Sequence, residues 1–240
     1  MLNHLSIATV SGANALSFLQ GYITCDLDAI REDCAQVMAI TDLRGRVVAN
    51  GWVFGNPEQL KLVIHASVQS NLHEHLAPYL RFARCTFEES ALPMFVTESL
   101  RKEIVSLQLN QEFFGLTTDA ATSLDLDAFQ IDSGHPLVTN QTSSMFLPQM
   151  LNLTRFGAVS FQKGCYLGQE VVARAEHRGR VKRTLRKAVC VGNKVKIGDQ
   201  TKTQQGVTAT VVSRYGDSAL VVTSSSSDDQ PVRLAESQLT

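Results

Sequence analysis

The chain has 240 residues, 44% of them hydrophobic and 19% charged, with a formal net charge of −1. This is ordinary globular composition, with enough chain for a real core and one or two domains. Near-neutrality excludes a global field that would drive the protein to polyanions, and no run of eighteen apolar residues is present to span a membrane.

The opening Met1-Leu2-Asn3-His4-Leu5 has no basic segment followed by an apolar run, so no signal peptide is expected. The five cysteines, Cys25, Cys34, Cys85, Cys165 and Cys190, are odd in number and scattered, without a C-x-x-C pair. That argues against a zinc ribbon, an iron–sulfur ligand set or a disulfide framework, and points to a reducing cytoplasm and no metal site.

In chain order, residues 12–20 read as a short helix that Ser11 can cap, with Leu16 and Leu19 on its apolar face. Gln36–Ile40, Arg46–Phe54 and Gln59–His65 read as strands, the last two joined by a turn at Gly55-Asn56-Pro57. Val68 to Arg81 has helical spacing, with Leu72, Leu76 and Leu80 on one stripe and Pro78 bending its end. His73 and His75 face different directions on that helix and are expected to be solvated rather than a metal pair. Strands recur near Cys85–Glu88 and Ile104–Leu109. Residues 110–145 read as loops, at Thr117-Thr118, Ser123 and Asn140–Ser144, around a short helix that ends near Asp132 and is terminated by Gly134 and Pro136. Short β runs at Leu185–Val191, Gly206–Ser213 and Ala219–Thr223 fit a small all-β unit. The expected division is 1–184 and 185–240. Hairpins alternating with helices predict an α+β fold rather than a parallel βαβ array.

The densest chemistry lies in Lys163-Gly164-Cys165-Tyr166-Leu167-Gly168-Gln169-Glu170. The glycines permit tight turning and close approach to a ligand, and the residues from Gln169 read as a helix start. Cys165 would then sit just before a helix N-terminus with Lys163 nearby, and both favour a reactive thiolate. The competing reading is a small residue fitted into a glycine-rich turn. No histidine is adjacent for a Cys–His dyad. Glu170 can pair with Lys163 or, at i+4, with Arg174.

From Arg174 to Lys187, seven of fourteen residues are Lys or Arg: Arg174, Arg178, Arg180, Lys182, Arg183, Arg186 and Lys187. On a near-neutral chain this stretch should attract an anion, such as a polyglutamate tail, a phosphate or an RNA backbone, or else form a solvated or interdomain face. It has no interleaved aromatics, which weakens a single-strand RNA platform.

The signature, the following Val-Val-Ala-Arg-Ala and Arg178-Gly179-Arg180-Val181-Lys182-Arg183, the lead-ins Phe146-Leu147-Pro148-Gln149 and Gly157-Ala158-Val159-Ser160-Phe161, and the opening Thr9–Ala13, Phe18–Gly21 and Thr24–Asp26 resemble the YgfZ family. These are folate-binding relatives of the glycine-cleavage T-protein. The resemblance is dense over 146–186, patchier over 5–55 and weak elsewhere. It implies a T-protein-like folate-binding body of two intertwined subdomains, with a small C-terminal β-barrel-like domain. The chain is short for that fold, so its second subdomain is expected to be trimmed.

The resemblance further implies tetrahydrofolate or a derivative as cofactor. Asp132, in Asp132-Ser133-Gly134, matches the acid that binds the pterin, whose 2-amino–N3 edge offers two N–H donors. Gln169 suits a pterin edge as donor and acceptor. Lys163, Tyr166, Gln169, Glu170, Arg174, Arg178, Arg180 and Arg183 complete the implied folate contacts, with Cys165 facing the one-carbon position as the catalytic candidate. Where T-proteins carry the acid that positions the amine, this chain has Ala49-Asn50, which speaks against aminomethyl transfer. Trp at the pocket rim is replaced by Leu5 and Leu126, and the single Trp, Trp52, lies on a strand. The implied role is an auxiliary one in iron–sulfur protein assembly or repair and, through it, tRNA modification, in a cytoplasmic monomer. The alternatives are a true aminomethyltransferase and a direct RNA-binding module.

Overall fold

Seven strands close into a barrel: β1 (Leu5–Ser11), β2 (Cys34–Thr41), β3 (Val47–Asn56), β4 (Gln59–His65), β5 (Thr86–Thr97), β6 (Val105–Leu109) and β7 (Glu112–Thr117). Their order is β1-β4-β3-β2-β6-β7-β5, with β5 returning to β1. All of these pairs are antiparallel except β2 with β6. Closure leaves no open sheet edge. This computed structural model describes residues 4–98, 104–109, 111–179, 181–190, 195–224 and 231–234.

Every residue of β3 but Asn56 is buried, whereas a sheet strand with one wet face would alternate. Its second cover comes partly from the chain after residue 135. Ser144 N–H donates to Val47 O (2.7 Å), Val47 N–H to Phe146 O (2.8 Å) and the Ser143 hydroxyl to Val48 O (2.7 Å). Asn50 does more. Its amide donates to Pro136 O (2.7 Å) and accepts from Val138 N–H (2.8 Å), at 0% exposure.

Among the described residues, four α-helices decorate the barrel: α1 (Ala15–Gln20), α2 (Gln69–Ala83), α3 (Leu126–Ser133) and α4 (Gln169–His177). Leu72, Leu76 and Leu80 of α2 are buried as their spacing requires, each contributing about 1.5–3 kcal/mol of burial. Pro78 does not end this helix, which runs on to Ala83 because its apolar stripe stays packed. Ser11 does not cap α1. It is held in the β1 ladder opposite Gln59 and Thr86, so the turn at residues 12–14 intervenes. The stretch read as loop after residue 110 contains β7, which closes the barrel between β5 and β6. The Asp125 carboxylate caps α3, and Gly134 ends it in a left-handed conformation (φ 69°).

The C-terminal strands β8 (Thr184–Val189), β9 (Gln200–Lys202), β10 (Thr208–Tyr215), β11 (Ser218–Thr223) and β12 (Val232–Arg233) form a sheet ordered β12-β8-β11-β10-β9. Its two faces have different partners. Ala188, Cys190, Val195, Ala209, Val211, Ala219, Val221 and Leu234 form a small core of their own. Leu185, Val212, Leu220 and Val222 join the main core. Ser213 donates to the buried Gln130 Oε1 of α3 (2.7 Å), and Lys187 Nζ to Asp132 O (3.2 Å).

Burial lowers the pKa of three histidines, His75 and, further, His65 and His135. His135 is lowered to about 3 and His65 to about 4, desolvation being the main cause for each. In the unfolded chain both take protons near pH 6.5, so the folded state binds fewer protons between the two values. Stability should therefore be fully present above about pH 6.5 and decline as pH falls toward 3, by up to ~1.4 kcal/mol per pH unit for each site. Urea titrations at pH 7, 5.5 and 4.5 should show a shallower decline for His135→Phe than for the natural chain.

Candidate functional site

The signature segment is threaded onto the residues just after α1 and the last residue of β2. The Thr24 hydroxyl donates to Ala158 O, and Ser160 N–H to Thr24 O. Leu167 N–H donates to Gly21 O (2.9 Å), and the Thr41 hydroxyl to Leu167 O (2.6 Å). Gly168 follows at φ 84°, where a Cβ would lie 2.3 Å from Asp42 O and 2.9 Å from the Gly45 Cα. Its freedom is used for contact with the β2–β3 turn, not with a ligand. A Cβ on Gly164 would meet nothing within 4 Å.

Lys163 turns inward. It is 8% exposed, and its ammonium donates to Gln20 Oε1 (3.1 Å), Ile23 O (2.9 Å) and Cys25 O (2.7 Å). Those bonds use all three N–H groups of the ammonium. Burial lowers its pKa, partly opposed by Cys25, Asp26 and Asp28. Tyr166 is also buried, its ring 5.5 Å from Lys163 Nζ, and burial pushes its phenol up to about 12. Cys165 between them faces solvent. The helix begins four residues later, at Gln169, so the arrangement expected to activate the thiol is not formed. The ammonium is committed to backbone carbonyls, and the helix start is a turn away.

Glu170 pairs with Arg174 at i+4 on the exposed side of α4, the local pairing the sequence allows. Gln169 is half-buried, and Arg178 is exposed beyond the helix. Arg180 lies outside the described residues. Arg183 braces the C-terminal sheet, donating to Thr210 Oγ1 (3.0 Å) and Val222 O (3.4 Å), with its guanidinium 6.0 Å from the Phe146 ring centroid. Beside it a groove of about 320 Å³ runs between Leu147, Met150, Ala175 and Val181, edged by Lys182 and Arg183. Its walls are apolar and its rim cationic.

Asp132 is exposed on the last turn of α3. It borders a hollow of about 250 Å³ with Glu98, Glu112 and Asp125, lined at its apolar side by Phe114 and Phe129. Leu5 and Leu126 line a smaller one of about 150 Å³. The structure thus spreads the implied residues over four places, one of them Arg183 against the C-terminal sheet. Lys163 and Tyr166 are buried under the signature. Cys165, Glu170, Arg174 and Arg178 lie on its outer face. Asp132 stands at the end of α3, linked to the basic stretch through Lys187. Cations of the basic stretch that bracket the C-terminal sheet and acids around α3 form separate fields, one to each hollow.

Sequence reasoning missed three residues. Gln149 Nε2 donates to Val172 O (2.8 Å) and Glu176 Oε2 (3.2 Å), bracing α4. Gln130 joins Leu137 N–H and the Ser213 hydroxyl. His135 is fully buried against Trp52. Gln149 stands in the lead-in Phe146-Leu147-Pro148-Gln149 with no role assigned to it; for Gln130 and His135 the advance signal was a polar side chain among apolar neighbours.

No protein-family model matches the chain. Curated relatives named tRNA-modifying protein YgfZ, from Yersinia pestis and Yersinia enterocolitica, are each 28% identical, over 77% of this chain and 68% of theirs. The chain is a relative of the YgfZ proteins. The solved structure of the glycine cleavage system aminomethyltransferase T from Bartonella henselae superposes with a TM-score of 0.69 over 93% of this chain and 77% of that one, at 12% identity. This YgfZ relative therefore has the T-protein-like α+β fold.

If Lys163 is a structural clamp of the YgfZ-like signature, Lys163→Met should cost about 3 kcal/mol in urea unfolding, because it strips three buried acceptors of their donor. Cys165→Ala, at an exposed site, should stay within about 0.5 kcal/mol of the natural chain.

Proposed function

We propose that this chain is a folate-binding auxiliary protein of the YgfZ type, supporting iron–sulfur protein assembly or repair and, through it, tRNA modification. The observation that carries the reading is a coincidence of two likenesses in one chain: a T-protein-like fold, and sequence relatives named tRNA-modifying protein YgfZ.

The residues present fit a reduced folate in their chemistry. Asp132 offers an exposed carboxylate beside Phe114 and Phe129, suited to the N–H edge of a flat pterin. Arg178, Lys182 and Arg183 offer cations for the carboxylates of a glutamate tail, and the apolar groove beside them suits its aryl portion. When bound, tetrahydrofolate would supply a one-carbon carrier. Cys165, exposed on the outer face of the signature, is the group that would face that chemistry.

Aminomethyl transfer is the weaker reading. Asn50 stands where the resemblance expects the amine-positioning acid, and its amide is fully used by Pro136 O and Val138 N–H. It has no charge to hold an ammonium group.

Calorimetric titration with tetrahydrofolate and its formyl form, at low and moderate salt, tests the proposal. The natural chain should show saturable binding that weakens with salt. Asp132→Ala should bind about 10- to 100-fold more weakly, the effect of losing charge-assisted hydrogen bonds worth roughly 1.5–3 kcal/mol. Absence of binding to either folate under both conditions would overturn the reading. In cells dependent on the protein, Cys165→Ala should fold normally and fail to complement; full complementation would remove the thiol from the mechanism.

A further inference from the structure

His135 is 0% exposed, and neither of its ring nitrogens has a hydrogen-bond partner. Its ring stacks on Trp52, with centroids 5.2 Å apart at 29°, and meets the edge of Phe156 at 4.9 Å. Trp52 is itself fully buried, with its indole Nε1 unpartnered and Phe129 6.3 Å away. Three orphaned polar atoms therefore share one aromatic pile. Each carries the desolvation cost of a polar group left unpaired, and a phenyl ring would stack as well without that cost. The imidazole is a poor permanent filler for this slot.

The backbone around it is held on both sides: Gly134 N–H donates to Gln130 O (3.0 Å) and His135 N–H to the Ser133 hydroxyl (3.2 Å). Gly134 is left-handed, with nothing within 4 Å of where a Cβ would stand. Two residues on, the Asn50 amide pins Pro136 O and Val138 N–H. Asp132, at the last turn of α3, is already exposed. All of these bonds hold backbone groups, so displacement of the ring requires a turn of the His135 side chain and leaves the β3 contact in place.

We propose that His135 is a displaceable plug, and that the slot against Trp52 is a binding site for a planar nitrogen heterocycle with donors and acceptors on its edge. The heterocycle takes the stacked position, and its edge satisfies the Trp52 N–H that the imidazole leaves unpaired. Naming the heterocycle as a pterin rests on the folate reading above; the slot itself rests on the stacking and the orphaned atoms. The plug lowers apparent affinity in proportion to the fraction of time it is seated.

Trp52 is the single tryptophan, so its emission reports the slot. Pterin, tetrahydrofolate and benzimidazole are titrated into the natural chain, His135→Ala and His135→Phe. In parallel, modification of His135 by diethyl pyrocarbonate is followed by peptide mass in the natural chain. Pterin should quench Trp52 and bind His135→Ala at least tenfold more tightly than the natural chain. It should bind His135→Phe at least tenfold more weakly, because that variant keeps the slot filled without orphaned nitrogens. Ligand should also speed the modification of His135 severalfold. Equal folate affinities in all three chains, with His135 protected throughout, would overturn the plug and leave folate binding standing. Failure of both pterins, with benzimidazole binding the natural chain and exposing His135, would overturn the folate reading and leave the slot. Failure of all three ligands on the natural chain overturns both. The measurements on the natural chain and on His135→Phe do not depend on how well His135→Ala folds.

Discussion

A single buried ammonium organises this molecule. Lys163 brings a positive charge under the signature segment and spends it on Gln20 Oε1 and the carbonyls of Ile23 and Cys25. A cation in such a place is tolerable only when its donors are all met. Gln20 extends the arrangement, its Nε2 donating to Asp26, whose carboxyl is held below its usual range chiefly by that bond. The stretch from α1 to β2 is thereby tied to residues 158–168, some 140 positions later. The close approach of Gly168 to the β2–β3 turn and the placement of α4 both follow from that tie.

Much of this architecture was legible beforehand because it obeys simple periodicities. The strand pattern of residues 36–65, the Leu72, Leu76 and Leu80 stripe, and the glycine stop of α3 are local signals, and the structure carries them out. What was illegible depends on distant partners. β7 has no alternation of its own and exists because β5 and β6 need a strand between them. Lys163 looked like an activating neighbour of Cys165, since sequence adjacency hides that its side chain turns the other way. Glu170 and Arg174 were readable as an i, i+4 pair, and they form one.

The charges divide the surface in a way the near-zero net charge conceals. Carboxylates collect around the end of α3, beside Phe114 and Phe129. Cations follow α4 into the C-terminal sheet, beside Leu147, Met150 and Val181. The Lys187 bond to the Asp132 carbonyl brings the two regions into contact. The proposed ligand, with a donor-rich flat head, an aryl body and an anionic tail, would match that succession of environments better than a uniform polyanion.

Asn50 also constrains how such a chain can change. Its amide serves a carbonyl and an N–H at once, in full burial, and no carboxylate can do both. An acid at this position would strip Pro136 O of its donor and strand a charge inside the fold. Residue 50 can therefore carry a carboxylate only if the backbone at 136–138 is re-anchored by some other residue. The amide here is a joint between two segments 86 to 88 positions apart, and a change of one atom in it loosens both.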